Sequence, residues 1–222
     1  MKTYYPPRPE HRIKPESLMR FDTGEYMAQP KFNGSCGVLI TGENGEYQLL
    51  DRSHDGVQKP LTMIGKLDLT PLAKAHPDSV FIGEYMNKYK LNEAGEKWID
   101  KFIIFDVLKQ KGDSFVGYTT RQRREFLIAV FGNMETYVNE KGDLNTRVCT
   151  HPYCFPTDFD GVYLIRSYYG NFFDRYHELT KIDLIEGLVL KKLEAQLEPA
   201  YTEKNNQLWQ LKVRKPTKNY DF

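Results

Sequence analysis

The chain has 222 residues, 40% of them hydrophobic, and a formal net charge of +1. That length can bury one sizeable core, so a single domain over 1–222, acting as a monomer, is expected. The small net charge excludes a global basic field, so any nucleic-acid partner must be held by local patches. No apolar run reaches the length of a membrane span, and Pro6, Pro7, Arg8 and Pro9 leave no signal-peptide core, so no membrane role is expected. Three cysteines, an odd count, favour a reducing, cytoplasmic setting.

In chain order, the first twenty residues are rich in proline and charge and read as an extended arm. Val38–Thr41 and Tyr47–Leu50 flank Asn44-Gly45, which predicts a β-hairpin. Thr70-Pro71 before Leu72 predicts a short helix with Thr70 as its N-cap. Phe81–Met86 and Lys101–Leu108 read as buried strands. The clearest helix is predicted over Thr120–Val138, with Phe126, Leu127, Val130, Phe131, Met134 and Val138 as its apolar stripe. Arg121, Arg123 and Arg124 crowd its first turn, against the macrodipole, and so call for carboxylates or an anionic ligand nearby. Cys149–Asp183 is aromatic without a clean period, and strands return at Gly187–Lys192 and Leu208–Lys215. Many strands and few helices predict an α+β fold.

Five strings stand in a particular order: Lys31-Phe32-Asn33-Gly34-Ser35, Phe81-Ile82-Gly83-Glu84, Phe102-Ile103-Ile104-Phe105-Asp106, Glu186-Gly187-Leu188-Val189-Leu190-Lys191, and Trp209-Gln210-Leu211-Lys212-Val213-Arg214. A lone K-x-x-G carries almost no information, but the ordered set covers most of the chain. It resembles the adenylyltransferase domain of ATP-dependent polynucleotide ligases, in the superfamily that also includes RNA ligases and mRNA-capping enzymes. The resemblance implies two twisted antiparallel β-sheets with flanking helices and a nucleotide groove between them. It also implies ATP as cofactor, Mg²⁺ or Mn²⁺ as metal, and a nicked duplex of DNA or RNA as partner.

By the same resemblance Lys31 is the nucleophile that carries AMP. An ammonium cannot attack phosphorus, and an ordinary lysine of pKa about 10.4 is almost wholly protonated at pH 7. The nucleophile therefore needs burial or neighbouring positive charge. Lys191, Lys212 and Arg214 are candidate neighbours and candidate catalytic cations, and strand periodicity points Lys212 and Arg214 to one face. Their alternative is an ordinary solvated strand face. Glu84 and Glu186, carboxylates within apolar strands, are either ion-paired or functional. The resemblance gives Glu84 to the ribose and Glu186 to the metal. It gives Phe105 to the base, against the alternative of a core aromatic, Gln29 to the adenine amino group, and Arg52 to ribose or a 5′-phosphate.

Asn33 and Cys36 depart from the aspartate and arginine of many DNA ligases, and Ser35 is closer to several RNA ligases. The Phe105–Leu108 strand followed by Gly112, Arg121, Arg124 and Leu127 is closer to DNA ligases, and DNA is the favoured reading. RNA ligase, a GTP-dependent capping-type guanylyltransferase and a non-catalytic nucleic-acid-binding module are the alternatives. Lys212–Phe222 resembles the lead into an oligonucleotide-binding domain, and the sequence ends there, so no such domain is expected. Phosphate contacts are expected from Arg121, Arg123, Arg124 and the Lys212–Lys218 segment. Arg166 and Arg175, interleaved with aromatics, could flank stacked bases, although core is the favoured role of that stretch. Cys149, His151 and Cys154 could supply three zinc ligands, with no fourth evident.

Overall fold

In a computed structural model, described for residues 3–52, 57–132, 136–138, 144–146, 151–200 and 205–216, alternating strands build most of the chain. In order they begin with β1 (Arg8–Arg12), a 3-10 helix (Pro15–Phe21), β2 (Tyr26–Phe32), β3 (Ser35–Thr41) and β4 (Tyr47–Asp51). There follow α1 (Thr70–Ala75), β5 (Val80–Tyr85), β6 (Phe102–Gln110), β7 (Asp113–Ser114) and α2 (Thr120–Phe131). The last part holds β8 (Thr136–Val138), β9 (Leu144–Thr146), β10 (Cys154–Pro156), β11 (Val162–Ile165), α3 (Phe172–Leu179), β12 (Ile185–Lys192) and β13 (Asn206–Arg214).

Two main sheets result, as expected. The first runs β1-β13-β12-β2, and the second runs β10-β11-β6-β5-β3-β4 with β7 on β6. They are mostly antiparallel, but β1 pairs β13 and β11 pairs β6 in parallel. A separate hairpin joins β8 and β9. Three buried clusters fill the molecule. One joins Ala28, Phe32, Leu188, Leu190 and Val213 of the first sheet to Ile103, Ile165 and the α3 residues Phe172, Tyr176 and Leu179. Another lies between the second sheet and helices α1 and α2, through Phe81, Phe102, Ile104, Leu72, Leu127 and Phe131. The smallest is Val38, Val80 and Ile82 on the opposite face of the second sheet.

Local chemistry explains the placements. Pro30 sits inside β2, which is an edge strand. The Ala28 N–H points outward to the Tyr168 carbonyl at 2.8 Å, so Pro30, two residues on, lacks a donor only on the side away from β12. The β3–β4 hairpin forms around Gly45, at φ +88°, as its Asn-Gly signal predicts. Helix α1 spans the expected residues, but Leu69 is its N-cap and Asp68 accepts the Thr70 N–H at 2.9 Å.

Helix α2 starts where expected, with a reciprocal capping box between Thr119 and Gln122. It stops at Phe131, with Gly132 as C-cap, rather than continuing to Val138. Val138 belongs to β8, and Met134 lies outside the described residues. The buried face of α2 is Thr120, Arg123, Arg124, Leu127 and Phe131. Its first turn therefore turns two arginines inward. The proline-rich start is extended, as expected, and its β1 strand joins the edge of the first sheet.

Candidate active site

A groove of about 840 Å³ opens between the two sheets. Gln29, Lys31, Arg52, Glu84 and Phe105 all line it, and so do Glu186, Lys191, Lys212 and Arg214. The structure thus brings all nine candidate residues to one place. Seven cations and four carboxylates line the groove, an excess of positive charge in a nearly neutral chain that suits an anionic ligand.

Lys31, at the end of β2, places its Nζ 2.6 Å from a Glu186 carboxylate oxygen, and Arg214 Nε lies 3.5 Å from the same oxygen. A β-bulge sets this up. Ile185 pairs with Phe32 and Gly187 with Lys31, so Glu186 is the extra residue, turned out of register toward the lysine. Gly187 is obligatory, because a Cβ there would strike the Val213 carbonyl oxygen of β13. Gly34 is obligatory for a similar reason: its Cβ would lie 2.5 Å from the Tyr85 carbonyl oxygen and 2.9 Å from Glu84 Cγ. That close approach lets the Gly34 N–H donate to Glu84 Oε1 at 2.9 Å.

Glu84 shares the Val80–Ile82 face of β5 and so points into the groove. Burial raises its carboxyl above the usual range, with Lys31 and the Gly34 N–H pulling the other way. Its cross-strand neighbour Cys36 is pushed up to about 12 by burial and by Glu84, which makes the thiol inert. Phe105 is a second bulged residue. Ile104 faces Gly83 and Asp106 faces Ile82, which leaves Phe105 unpaired between them and half-exposed in the groove.

Lys191 departs from the expectation of an open cation beside Lys31. It is buried, with Nζ 3.3 Å from the Phe105 carbonyl oxygen, 3.4 Å from Asp106 Oδ2, and 5.2 Å from the Phe105 ring centre. Burial lowers its pKa, and Asp106 opposes that. Asp106 is the residue that motif reading left without a role. It also takes Arg123 in a two-pronged pair, Nε to Oδ1 at 2.8 Å and Nη2 to Oδ2 at 3.3 Å. Burial pushes its carboxyl up, yet Arg123 and Lys191 more than offset this and hold it at about 2.

Leu211 and Val213 of β13 point into the core while Lys212 and Arg214 face the groove, as alternation predicts. Lys212 Nζ donates to the Pro9 carbonyl at 3.3 Å. Burial, followed by Arg214, Arg12, Arg8 and Lys31, lowers its pKa. Gln29 is buried and its amide nitrogen donates to Ser167 Oγ at 3.2 Å.

Several expectations fail. Arg123 and Arg124 are buried, the first on Asp106 and the second beside Tyr169, so neither is presented to a phosphate backbone. Arg121 is exposed and pairs with Glu194 at 2.7 Å. By contrast, Arg166 stacks on Phe155 and Arg175 on Tyr168, which agrees with the core role favoured for that stretch. Cys154 is buried in the core and His151 binds Glu93 at 2.6 Å, while Cys149 lies outside the described residues. Among the described residues no three His, Cys, Asp or Glu side chains form a metal cluster. No helix among them is long and apolar enough to cross a membrane.

No protein-family model and no curated protein matches this sequence. Solved structures do. The chain is similar to a mycobacterial DNA ligase D complexed with ATP and MES, with TM-score 0.63 and 14% identity over 95% of this chain and 60% of that one. It is also similar to the ligase domain of LigD from M. tuberculosis, with TM-score 0.61 and 14% identity over 95% and 59% of the two chains. The fold is therefore that of the ligase domains of DNA ligases. The chain spans about 60% of the length of these structures.

Proposed function

We propose that this chain is an ATP-dependent polynucleotide ligase that seals nicks between a 5′-phosphate and a 3′-hydroxyl, with DNA as its substrate. The observation that carries this reading is Lys31, set against Glu186 at the mouth of a cation-rich groove in a ligase fold. In the first step the neutral Lys31 amine attacks the α-phosphorus of ATP. The N–P bond forms, the bond to the bridging oxygen breaks, pyrophosphate leaves with the electron pair, and the lysine proton goes to solvent. A 5′-phosphate oxygen then takes the AMP from Lys31, and the 3′-hydroxyl displaces AMP to close the strand.

The remaining roles are assigned on chemistry. The stationary cations Lys212 and Arg214 offset charge developing on the phosphates, and Lys191 does so from its seat under Phe105. Phe105 offers a ring face to the base. Gln29 has its nitrogen committed to Ser167, which leaves its oxygen as an acceptor for the adenine amino group. Glu84 is suited to the ribose hydroxyls and Arg52 to ribose or a 5′-phosphate. A bound Mg²⁺ or Mn²⁺ would supply charge neutralisation on the triphosphate. Glu186 fits it as a single carboxylate ligand, because Mg²⁺ keeps waters and takes phosphate oxygens.

An RNA ligase of the same mechanism is the second reading. It is favoured by Cys36, an inert thiol beside Glu84 where many DNA ligases place an arginine. Intact-mass detection of one AMP after ATP, and of none after GTP, tests the chemistry. Joining of nicked DNA against nicked RNA and unannealed strands tests the substrate. Faster joining of RNA, or of unannealed strands, sinks the DNA assignment.

A further inference from the structure

The proline-rich start of the chain crosses the groove from one sheet to the other. Tyr4 packs against the Val38, Val80 and Ile82 cluster of the second sheet. Its N–H donates to Gln58 Oε1 at 3.3 Å and its carbonyl accepts from Gln58 Nε2 at 2.8 Å. Gln58 is anchored in turn to the carbonyl of Asp51, beside Arg52, at 3.3 Å. One residue later the Tyr5 carbonyl accepts from Asn205 Nδ2 at 2.7 Å, and the Arg8 N–H donates to the Asn205 carbonyl at 2.9 Å. From there β1 runs along β13 of the first sheet. Pro6, Pro7 and Pro9 restrict the backbone of this crossing. Pro7, Arg8, Pro9 and Glu10 form a wall of the groove.

The charge of Arg8 reaches both sheets, since it acts on Lys212 of the first and Cys36 of the second. We propose that residues 4–8 are a strap across the groove and that Arg8 binds the departing pyrophosphate end of the nucleoside triphosphate. This rests on the ligase reading and extends it to a segment that carries none of the five motifs. Three further cations, Arg214, Arg12 and Lys31, surround Lys212 together with Arg8. The carboxylates on that side are Glu186, engaged by Lys31 and Arg214, and Glu10 of β1. With the α-phosphorus at Lys31, the β- and γ-phosphates carry most of the ligand's charge, and this cluster offers them several cations on one wall of the groove. As the bond to the bridging oxygen breaks, the new negative charge falls on pyrophosphate, where a fixed guanidinium favours the transition state over bound ATP.

The test uses the full chain with Arg8→Gln and Arg8→Lys, substitutions that leave the backbone contacts of the strap in place. Formation of the AMP adduct from ATP is expected to slow about a hundredfold in Arg8→Gln, with partial rescue in Arg8→Lys. Pyrophosphorolysis of the adenylylated protein should slow with it, because it is the same step reversed. Joining of a pre-adenylylated nick, which involves no pyrophosphate, should be unchanged, and so should the melting temperature. Wild-type rates of adduct formation and pyrophosphorolysis in Arg8→Gln would overturn the proposal. So would a defect confined to the pre-adenylylated nick, which would give Arg8 to the nucleic acid. Calorimetry with inorganic pyrophosphate separates this proposal from the ligase reading. A wild-type chain that forms no adduct yet binds pyrophosphate through Arg8 refutes the enzyme and keeps the site, and equal binding by both proteins refutes the site.

Discussion

Two regions of this molecule are rich in basic residues, and they are used in opposite ways. At the start of α2, Arg123 is turned inward onto Asp106, and Arg124 is buried beside it. On β13, Lys212 and Arg214 are half-buried along the groove, with Glu186 shared between Arg214 and Lys31. The difference lies in carboxylate placement. Asp106 gives Arg123 a two-pronged partner inside the protein, so that arginine is satisfied without a ligand. The groove is lined by more cations than carboxylates, which suits an anionic ligand. A cluster of arginines in a sequence does not say which kind it is.

The sharpest contrast comes from Lys31. Lys31→Ala should fold normally and form no AMP adduct by intact mass, since among the described residues Lys31 is the amine paired with Glu186. An adduct on the variant would place the nucleophile elsewhere and remove the functional meaning of the groove. Next is Arg123→Ala, which leaves Asp106 buried with Lys191 as its remaining cation. Removing one member of a buried ion pair typically costs about 3–5 kcal/mol of stability, to be read by denaturant titration. A loss well below that would show that the α2 cluster is not an internal support.

Lys212→Ala and Arg214→Ala should behave in the opposite manner. Their melting temperatures should stay near that of the parent, while adenylylation falls about a hundred- to a thousandfold, or about 2.7–4 kcal/mol of transition-state stabilisation. If these variants lose stability and keep activity, the groove is an ordinary strand face and the comparison collapses.

The motifs, the strands that carry them and the gathering of nine residues were legible because each rests on local signals: alternation, a turn pair and short strings in order. Long-range pairing was not. The arginines of the first turn call for a carboxylate or an anionic ligand, and Asp106 meets that call for Arg123, but nothing near Arg123 singles out a residue seventeen positions earlier. The bulges that free Glu186 and Phe105 depend on register between strands and leave no mark in either string. The strap is hidden because prolines and charges read only as an extended arm, and the partners that fix it, Gln58 and Asn205, lie far along the chain. Helix α2 ends at Gly132, whose backbone turns extended and where a Cβ would strike the Ile128 carbonyl oxygen, a close approach that the apolar spacing of Met134 and Val138 does not reveal.

Acid offers a finer test of the internal cluster. The folded-state pKa of Asp106 is depressed, to about 2 from an ordinary value of 3.8. Its pairing therefore contributes stability that is complete above the unfolded value and is lost as pH falls through the folded one. A shift of this size corresponds to about 2 kcal/mol. Stability measured between pH 5 and pH 2 should show that loss, and Asp106→Asn, already weaker at pH 7, should show a flatter acid limb. An unchanged slope would mean that Arg123 and Lys191 do not hold the carboxylate in its charged form.

The smallest effect is expected at Arg121, and it separates the two regions because Arg121 belongs by sequence to the α2 cluster but by position to neither. It is exposed, as is its partner Glu194. An exposed pair contributes about 0–1 kcal/mol, screened further by salt. Arg121 does not line the groove. Arg121→Ala should therefore change stability by less than about 1 kcal/mol and leave adenylylation by ATP at the parental rate. Nick joining across a salt series is the decisive readout. Each phosphate contact contributes about −0.9 to the log–log salt slope on duplex DNA. A slope shallower by about that amount in the variant would show that Arg121 exchanges Glu194 for a backbone phosphate when nucleic acid binds. An unchanged slope leaves Arg121 with Glu194 and returns phosphate binding to the groove.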